Sequence, residues 1–277
     1  MTTTFHISAP YRDLLDRAGL ANFESLFGFE SGVHVDGHGD RSVTRFELPG
    51  EGGDRLVFYL KREWNPKAAM LIRRWVAGGF RPPPSRSVKE WRNLHALRRR
   101  EIATAEPVAV GEERRRGFFS RAFLLVREVE DSVNLAEFFE RSAAGEGAGD
   151  GEPLSIEARR ALASQVASMV RTMHDRGMAF TDLYLKHIYV NPSRPGGRFR
   201  PTLIDAQRSR RFWHMMPTAR WHDLAALYAT SHVAGCRRTD RLKFLLAYSR
   251  QSRLSPPVKL MVRRILARAE RISGRGG

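Results

Sequence analysis

Strand-like runs, in which apolar residues are interrupted by polar ones, occupy the first part of the chain. They cover residues 32–35, 42–48 and 56–61, and glycine-rich turns at residues 36–40 and 49–54 separate them. This spacing predicts an antiparallel meander of three strands. The preceding residues, 11–26, are predicted to form an irregular helical lead-in.

The pattern then changes to the period of an amphipathic helix. A helix over about residues 88–100 places Glu90, Leu94 and Leu97 on one face. A further pair of strands, ending in an apolar run, is predicted around residues 114–128. The first part of the chain is therefore a sheet with one inserted helix.

Helices dominate the second part. Residues 142–153 are rich in glycine and alanine and predict a mobile surface loop. Ser155 is predicted to cap a helix that Gly177 ends, and a last helix is predicted over 256–272. The buried stripe of the first of these helices is predicted to consist of Leu162, Val166, Met169, Val170 and Met173.

This order of elements predicts an α+β fold with two lobes. The first, residues 1–127, is a small lobe built on an antiparallel sheet with one key helix. The second, residues 128–277, is larger and mainly helical. With 277 residues, 42% of them hydrophobic, the chain is long enough to bury a sizeable core.

Two carboxylates follow the helix that ends at Gly177. Asp182 lies in a loop with His187, and after a short hairpin a second strand ends in Asp205. Phosphoryl transfer from a nucleotide uses two loop carboxylates, one to orient the attacking hydroxyl and one to hold Mg²⁺ on the phosphates. The sequence therefore predicts a kinase-like enzyme that uses ATP and Mg²⁺.

Three ordered motifs resemble those of the bacterial lipopolysaccharide core kinases, the heptose and Kdo kinase family. They are D-x-Y-x-x-H at Asp182, Tyr184 and His187, I-D-x-x-R at Ile204, Asp205 and Arg208, and R-W-x-D-L-A-A-L-Y at residues 220–228. The resemblance to protein kinases themselves is partial. The family resemblance spans roughly residues 32–248 and implies a two-lobed, protein-kinase-like fold.

The resemblance also implies roles for single residues. Asp182 is the expected catalytic residue, which accepts a hydrogen bond from the substrate hydroxyl, and Asp205 is the expected Mg²⁺ ligand. His187 is a second candidate at the metal, although imidazole is a poor Mg²⁺ ligand. It is equally expected to bind a phosphate or metal-bound water, to orient Asp182, or to have a purely structural role.

On the nucleotide side, Lys61 occupies the position from which kinases clamp the α- and β-phosphates. A buried lysine needs a counter-charge, and Glu90 on the predicted helix is the candidate. The insert at 64–86 accounts for the long separation between the two residues. The turn at Gly37 and Gly39 is predicted to donate backbone N–H groups to the phosphates, with an ordinary hairpin turn as the open alternative.

Five further residues have expected roles around the catalytic loop. Asp223 is expected, by resemblance, to accept hydrogen bonds from the backbone of that loop. His174 is expected to be a packed histidine and not a catalytic one. Arg208, Arg210 and Arg211 follow the metal motif and are expected either to bind acidic groups of the substrate or to be solvated.

The chain is strongly basic, with a formal net charge of +17 and a pI near 11.0. Such a charge favours an anionic partner, and it suits an acidic glycolipid as acceptor. A general preference for arginine on solvated faces explains it equally well. Without a recognisable nucleic-acid module or stacking motif, nucleic acid is not expected as a partner.

Targeting features predict a cytoplasmic protein. The start of the chain lacks the basic and apolar regions of a signal peptide, and no apolar run approaches the roughly 18 residues that span a bilayer. The single cysteine, Cys236, excludes an internal disulfide and suits a reducing compartment. The basic surface and the arginine-rich final helix are expected to contact the cytoplasmic face of the inner membrane.

The leading hypothesis is therefore an ATP-dependent kinase that phosphorylates heptose or Kdo in the inner core of lipopolysaccharide. One alternative keeps the kinase fold and changes the acceptor to a protein or another small molecule. The other is a non-catalytic kinase-like scaffold, which retention of Lys61, Glu90, Asp182 and Asp205 disfavours.

Overall fold

A computed structural model describes residues 1–50, 52–64, 83–115, 118–145, 154–193, 198–214 and 216–274. The chain forms two compact units, Met1–His95 with Ala105–Glu128, and Ala96–Thr104 with Val129–Gly277. Most of the predicted insert at 64–86 and of the predicted loop at 142–153 lies outside the described residues. The assignment of separate roles to lobes 1–127 and 128–277 stays a prediction.

The first unit is built on an antiparallel sheet with the strand order β1-β5-β6-β4-β3-β2. Its strands are β1 (Thr2–Ile7), β2 (Val33–His38), β3 (Arg41–Pro49), β4 (Arg55–Trp64), β5 (Glu106–Arg115) and β6 (Phe118–Arg127). The predicted three-strand meander is confirmed as β2, β3 and β4. Strand β1 was not predicted, and it pairs with β5 about a hundred residues away in sequence.

One face of this sheet forms the core of the first unit. Side chains of alternate sheet positions, such as Phe58 and Leu60, are fully buried there. They pack against the predicted helical lead-in, which is confirmed as two short helices, α1 (Arg12–Arg17) and α2 (Phe23–Phe27). Asn22 begins α2 by accepting a hydrogen bond from the Ser25 backbone, as asparagine does at helix N-termini.

A longer helix, α3 (Arg86–Arg98), interacts with the opposite face of β4. Its first turns are held by buried glutamates on the sheet. Glu63 accepts a hydrogen bond from the Ser87 backbone, and Glu112 accepts one from the Ser85 backbone. Negative charge at a helix N-terminus is stabilising, so these contacts fix where α3 begins.

The second unit is mainly helical. Its helices are α4 (Leu135–Ala143), α5 (Ile156–Asp175), α6 (Pro217–Thr230), α7 (Arg238–Ser249) and α8 (Pro256–Ser273). Ser155 caps α5 through the Ala158 backbone as predicted, and most of the predicted stripe is buried, although Met169 is only half-buried. A buried ion pair, 2.6 Å from Arg159 Nη2 to Asp240 Oδ2, joins α5 to α7.

Short strands connect these helices. They are β7 (Val133–Asn134), β8 (Met178–Ala179), β9 (Ile188–Val190), β10 (Thr202–Leu203) and β11 (Arg210–Arg211). Strands β10, β9 and β7 form one small antiparallel sheet, and β11 pairs with β8. The predicted α+β class is thus confirmed. Within the described residues, no helix combines the length and apolarity needed to cross a bilayer.

Candidate active site

The predicted lysine and glutamate meet in the first unit. Lys61 Nζ lies 2.7 Å from Glu90 Oε1, and the glutamate side chain is only 4% exposed. The lysine was predicted to end its strand, but β4 continues to Trp64 because residues 62–64 still pair with β3 and β6. The structure therefore forms the pair, and its role in nucleotide binding stays a prediction.

Glu63 strengthens the attachment of α3 to β4. Residues 61 and 63 share one face of the strand, so the helix is held at two neighbouring points. Burial raises the pKa of the Glu63 carboxyl, and the hydrogen bond from the Ser87 backbone opposes that rise. Glu63 was not among the predicted site residues, although a glutamate two residues after a candidate lysine on a strand is a usable signal.

The two predicted phosphate-loop glycines lie at the hairpin between β2 and β3. A Cβ at Gly37 would come within 2.9 Å of the Arg41 carbonyl oxygen, and Gly39 has a left-handed φ of +43°. Both border an open cavity of about 850 Å³ whose walls include Arg62 and Arg121. The geometry explains why glycine is required there, and phosphate binding by these residues stays a prediction.

In the second unit, the segment before Asp182 is held by a buried carboxylate. Asp223, on α6, accepts hydrogen bonds from the Phe180 and Thr181 backbones at 2.6 and 2.8 Å, which confirms the contact expected of it. Thr181 has φ +76°, a conformation that costs a non-glycine residue energy. The carboxylate therefore stabilises a strained turn next to the candidate catalytic residue.

Asp223 is itself oriented by two side chains. His174 Nε2 lies 3.1 Å from its Oδ2, and His174 Nδ1 lies 2.8 Å from the Tyr248 hydroxyl. Because a carboxylate only accepts, Nε2 donates and Nδ1 accepts from Tyr248 when the ring is neutral. The histidine side chain is fully buried, so the expectation that it is packed is confirmed. Tyr248 was missed in the sequence, where nothing relates it to residue 174.

His187 links the loop of Asp182 to the loop of Asp205. Its Nδ1 lies 2.8 Å from the Asp182 carbonyl oxygen, and its own carbonyl accepts a hydrogen bond from the Ile204 backbone. Since a carbonyl only accepts, Nδ1 carries the proton, which leaves Nε2 as an acceptor in the neutral ring. Histidines at metal sites show this arrangement. It fits His187 as a ligand of a metal ion or of a metal-bound water.

Asp205 follows Ile204, the residue directly after β10, whose backbone N–H donates to the His187 carbonyl. Its backbone is left-handed, with φ 57° and ψ 60°, which re-aims the chain between β10 and a short 3₁₀ turn at Ala206–Arg208. Within the described part of the chain, no three acidic, histidine or cysteine side chains cluster as a complete metal site. Mg²⁺ is commonly bound by one or two carboxylates together with phosphate oxygens and water, so Asp205 fits that ion.

Arg208 brings the two loops together a second time. Its Nη1 donates to Asp182 Oδ1 across 3.1 Å, and its side chain is 64% exposed. The sequence motif predicts either substrate binding or solvation for this arginine, and its contact with Asp182 was not predicted. Arg210 and Arg211 are also exposed. The pairing of Arg208 with Asp182 places an exposed cation at the predicted catalytic carboxylate.

The surroundings of Asp182 shift the pKa of two neighbouring side chains, His222 and Tyr184. Burial lowers the pKa of His222 below its ordinary value, and the positive charge of Arg268 adds to the effect. Burial raises the pKa of Tyr184, and the negative charge of Asp182 adds to it. Both shifts favour the neutral forms of His222 and Tyr184 around pH 7.

Residues 31–248 match the model of the lipopolysaccharide kinase (Kdo/WaaP) family. The chain belongs to this family. The match includes every candidate site residue, from the β2–β3 hairpin to α6. As a member, the protein is an ATP-dependent phosphotransferase that acts on a sugar hydroxyl of the lipopolysaccharide inner core. The leading hypothesis from the sequence is confirmed at this level, and the family does not support a non-catalytic scaffold.

Similar proteins include two curated kinases. The chain is 26% identical to the lipopolysaccharide core heptose(I) kinase WaaP of Pseudomonas aeruginosa over 253 residues, which is 88% of this chain and 86% of that protein. It is 24% identical to the WaaP of Escherichia coli over 210 residues, 75% of this chain and 74% of that protein.

A solved structure has the same fold. It is described as WaaP in complex with acyl carrier protein, and it superposes with a TM-score of 0.69 at 24% identity over 98% of both chains. This likeness confirms the predicted protein-kinase-like fold class for the family member described here.

Proposed function

We propose that the acceptor is a heptose of the inner core and that Asp182 orients its hydroxyl for attack on the γ-phosphoryl group of ATP. Both WaaP relatives carry heptose(I) kinase names, which supports the choice of sugar. The observation that carries the proposal is the joining of the Asp182 and Asp205 loops by His187 and Arg208. Positioning and charge stabilisation account for most of the catalysis in phosphoryl transfer.

The other residues have complementary roles in this proposal. Asp205 and His187 hold Mg²⁺, which when bound neutralises charge on the β- and γ-phosphates. Lys61, paired with and oriented by Glu90, binds the α- and β-phosphates. Arg208 releases Asp182 when the substrate arrives and then contacts an anionic group, because its side chain is largely exposed and a guanidinium pairs well with phosphate and carboxylate oxygens.

The test is transfer of labelled phosphate from ATP to two purified acceptors. One is an inner core that contains heptose and Kdo, and the other is a truncated core that contains Kdo only. We expect phosphate on the first acceptor only, and mass spectrometry locates it on heptose. Asp205→Asn is expected to abolish most of this transfer, with the remainder rising when Mg²⁺ is increased. Equal transfer to the Kdo-only core would contradict the choice of heptose.

We also infer a second partner, an acyl carrier protein. The solved WaaP neighbour is in complex with one. The second unit of this chain contains a mainly apolar cavity of about 420 Å³, lined by residues such as Leu162, Val166, Leu227 and Ile265. An apolar cavity of this kind suits an acyl chain.

Acylated carrier protein is expected to raise the melting temperature of this chain, and the carrier without an acyl group is expected to raise it much less. Leu227→Arg, which places a charge in the cavity wall, is expected to remove the difference between the two carriers. If both forms of the carrier raised the melting temperature equally, the carrier would bind without placing its acyl group in the cavity.

We further propose that the protein works at the cytoplasmic face of the inner membrane, where an anionic glycolipid is its acceptor. The net charge of +17 and the arginines of α8 support this placement.

A further inference from the structure

An exposed aromatic residue follows directly after β11. Trp213 is 95% exposed and Met216 is 56% exposed. Tryptophan normally buries a large area, and it is enriched at interfaces where one side is apolar and the other wet. The two arginines of β11, Arg210 and Arg211, immediately precede this segment and are also exposed. We call Arg210, Arg211, Trp213 and Met216 the Trp213 surface.

We propose that the Trp213 surface docks on an anionic lipid bilayer and so holds the second unit at the membrane where its glycolipid acceptor lies. The choice of acceptor rests on the proposed function, whereas lipid binding does not. Tryptophan is enriched at membrane interfaces because its ring is apolar and its N–H is polar. Arginine beside it adds attraction to lipid phosphates.

Backbone contacts attach the residues just before Trp213 to the second unit. Arg210 and Arg211 pair with Ala179 and Met178 of β8, and the Phe212 backbone donates to the Gly177 carbonyl at 2.8 Å. Gly177 has φ +74°, and a Cβ there would lie 2.6 Å from the Phe212 carbonyl oxygen. The three residues directly before Trp213 are therefore tied to β8 and Gly177 by backbone hydrogen bonds.

The charge of the surface is available to a partner. Neither Arg210 nor Arg211 forms an ion pair with any residue in the described ranges, in contrast to Arg208, which pairs with Asp182. Two unpaired arginines beside an exposed tryptophan complement a surface that is anionic outside and apolar within. A nucleic acid would be expected to need a broader basic face with several stacking residues.

The position of the surface relates it to catalysis. Strand β8, which pairs with β11, leads into the catalytic loop and is separated from Asp182 by Phe180 and Thr181. Contact with the bilayer through the Trp213 surface, whose Arg210 pairs with Ala179, would hold the second unit, and Asp182 with it, at the membrane. A glycolipid acceptor would not have to leave the membrane to reach it.

Flotation with lipid vesicles tests this proposal without ATP or acceptor. The full chain is expected to bind vesicles of phosphatidylglycerol and phosphatidylethanolamine and to bind phosphatidylcholine vesicles much more weakly. Trp213→Ala is expected to weaken binding about tenfold or more, because a partly inserted indole ring is lost. The double change Arg210→Gln with Arg211→Gln is expected to weaken vesicle binding about 30-fold. Each arginine near an anionic surface contributes a similar free energy of binding, and the losses of the two add.

Two control variants make the result specific. Ile156→Ala removes another exposed apolar side chain, at the start of α5, and is expected to leave vesicle binding unchanged. Lys259→Gln with Arg263→Gln neutralises two cations of α8. If this pair abolishes binding while the Trp213 variants retain it, α8 and not the Trp213 surface is the contact. Absence of binding to anionic vesicles by the unmodified chain would also overturn the proposal.

A kinase assay separates this inference from the proposed function. Trp213→Ala is expected to retain transfer to a soluble, deacylated core and to lose most transfer to the same core in vesicles. Vesicle binding without transfer to either acceptor would refute the proposed function alone. Equal transfer to both acceptors by the variant would refute the role of the surface alone.

Discussion

Replacing Asp182 with asparagine is expected to lower kcat for phosphate transfer by about 10²- to 10⁴-fold. The amide has the shape of the carboxylate, but it accepts the proton of the attacking hydroxyl poorly and carries no charge to hold Arg208. KM for ATP is expected to change little, because Asp182 is proposed to contact the acceptor and not the nucleotide. Initial rates at varied ATP and acceptor concentrations measure both constants.

Asp175→Asn provides the matched control. This aspartate also lies in the second unit and pairs with arginines, Arg171 and Arg220, but it is at the end of α5. Its change is expected to leave kcat within severalfold of the original value. If Asp182→Asn retained full transfer to the inner core, the assignment of Asp182 as the catalytic residue would be wrong.

Asp223→Asn is expected to destabilise the second unit by about 3–5 kcal/mol. The carboxylate accepts two backbone hydrogen bonds and contacts His174, and it is fully buried. An amide of the same size has one oxygen only, so its NH₂ group would face a buried N–H group. Thermal unfolding is expected to begin about 10 °C lower.

A second measurement separates this loss from general unfolding. Hydrogen exchange of the Phe180 and Thr181 amides is expected to become faster in Asp223→Asn well below the melting temperature. Tyr248→Phe removes only the hydroxyl that contacts His174, and it is expected to cost about 1 kcal/mol and leave these amides protected. Unchanged exchange in Asp223→Asn would show that the strained turn does not depend on this carboxylate.

The sequence predicted those parts of the fold that depend on local signals. Glycine-rich turns separated β2, β3 and β4, and Ser155 with Gly177 marked the ends of α5. Strand β1 was not predicted, because a run that begins with three threonines has no apolar period and its pairing with β5 is entirely long-range. The three residues by which β4 extends beyond Lys61 are polar or aromatic and are held by cross-strand pairing.

The sequence predicted which residues form the candidate site, but it did not predict most of the contacts between them. Motif spacing identified Asp182, His187 and Asp205, because these residues lie in short loops next to strands. The link from His187 Nδ1 to the Asp182 carbonyl and the pairing of Arg208 with Asp182 depend on how the loops fold against each other. Side-chain exposure is not encoded locally either, so nothing in the sequence distinguished Trp213 from a core tryptophan.

The left-handed backbones at Thr181 and Asp205 have a consequence for engineering heat tolerance. Each costs a non-glycine residue about 1–3 kcal/mol, so glycine at either position would relieve unfavourable torsion. At Thr181 the gain would come with a freer hinge beside Asp182, and at Asp205 the side chain itself would be lost. A protein stabilised in this way would be a less active enzyme, and stabilising substitutions are better placed far from these two residues.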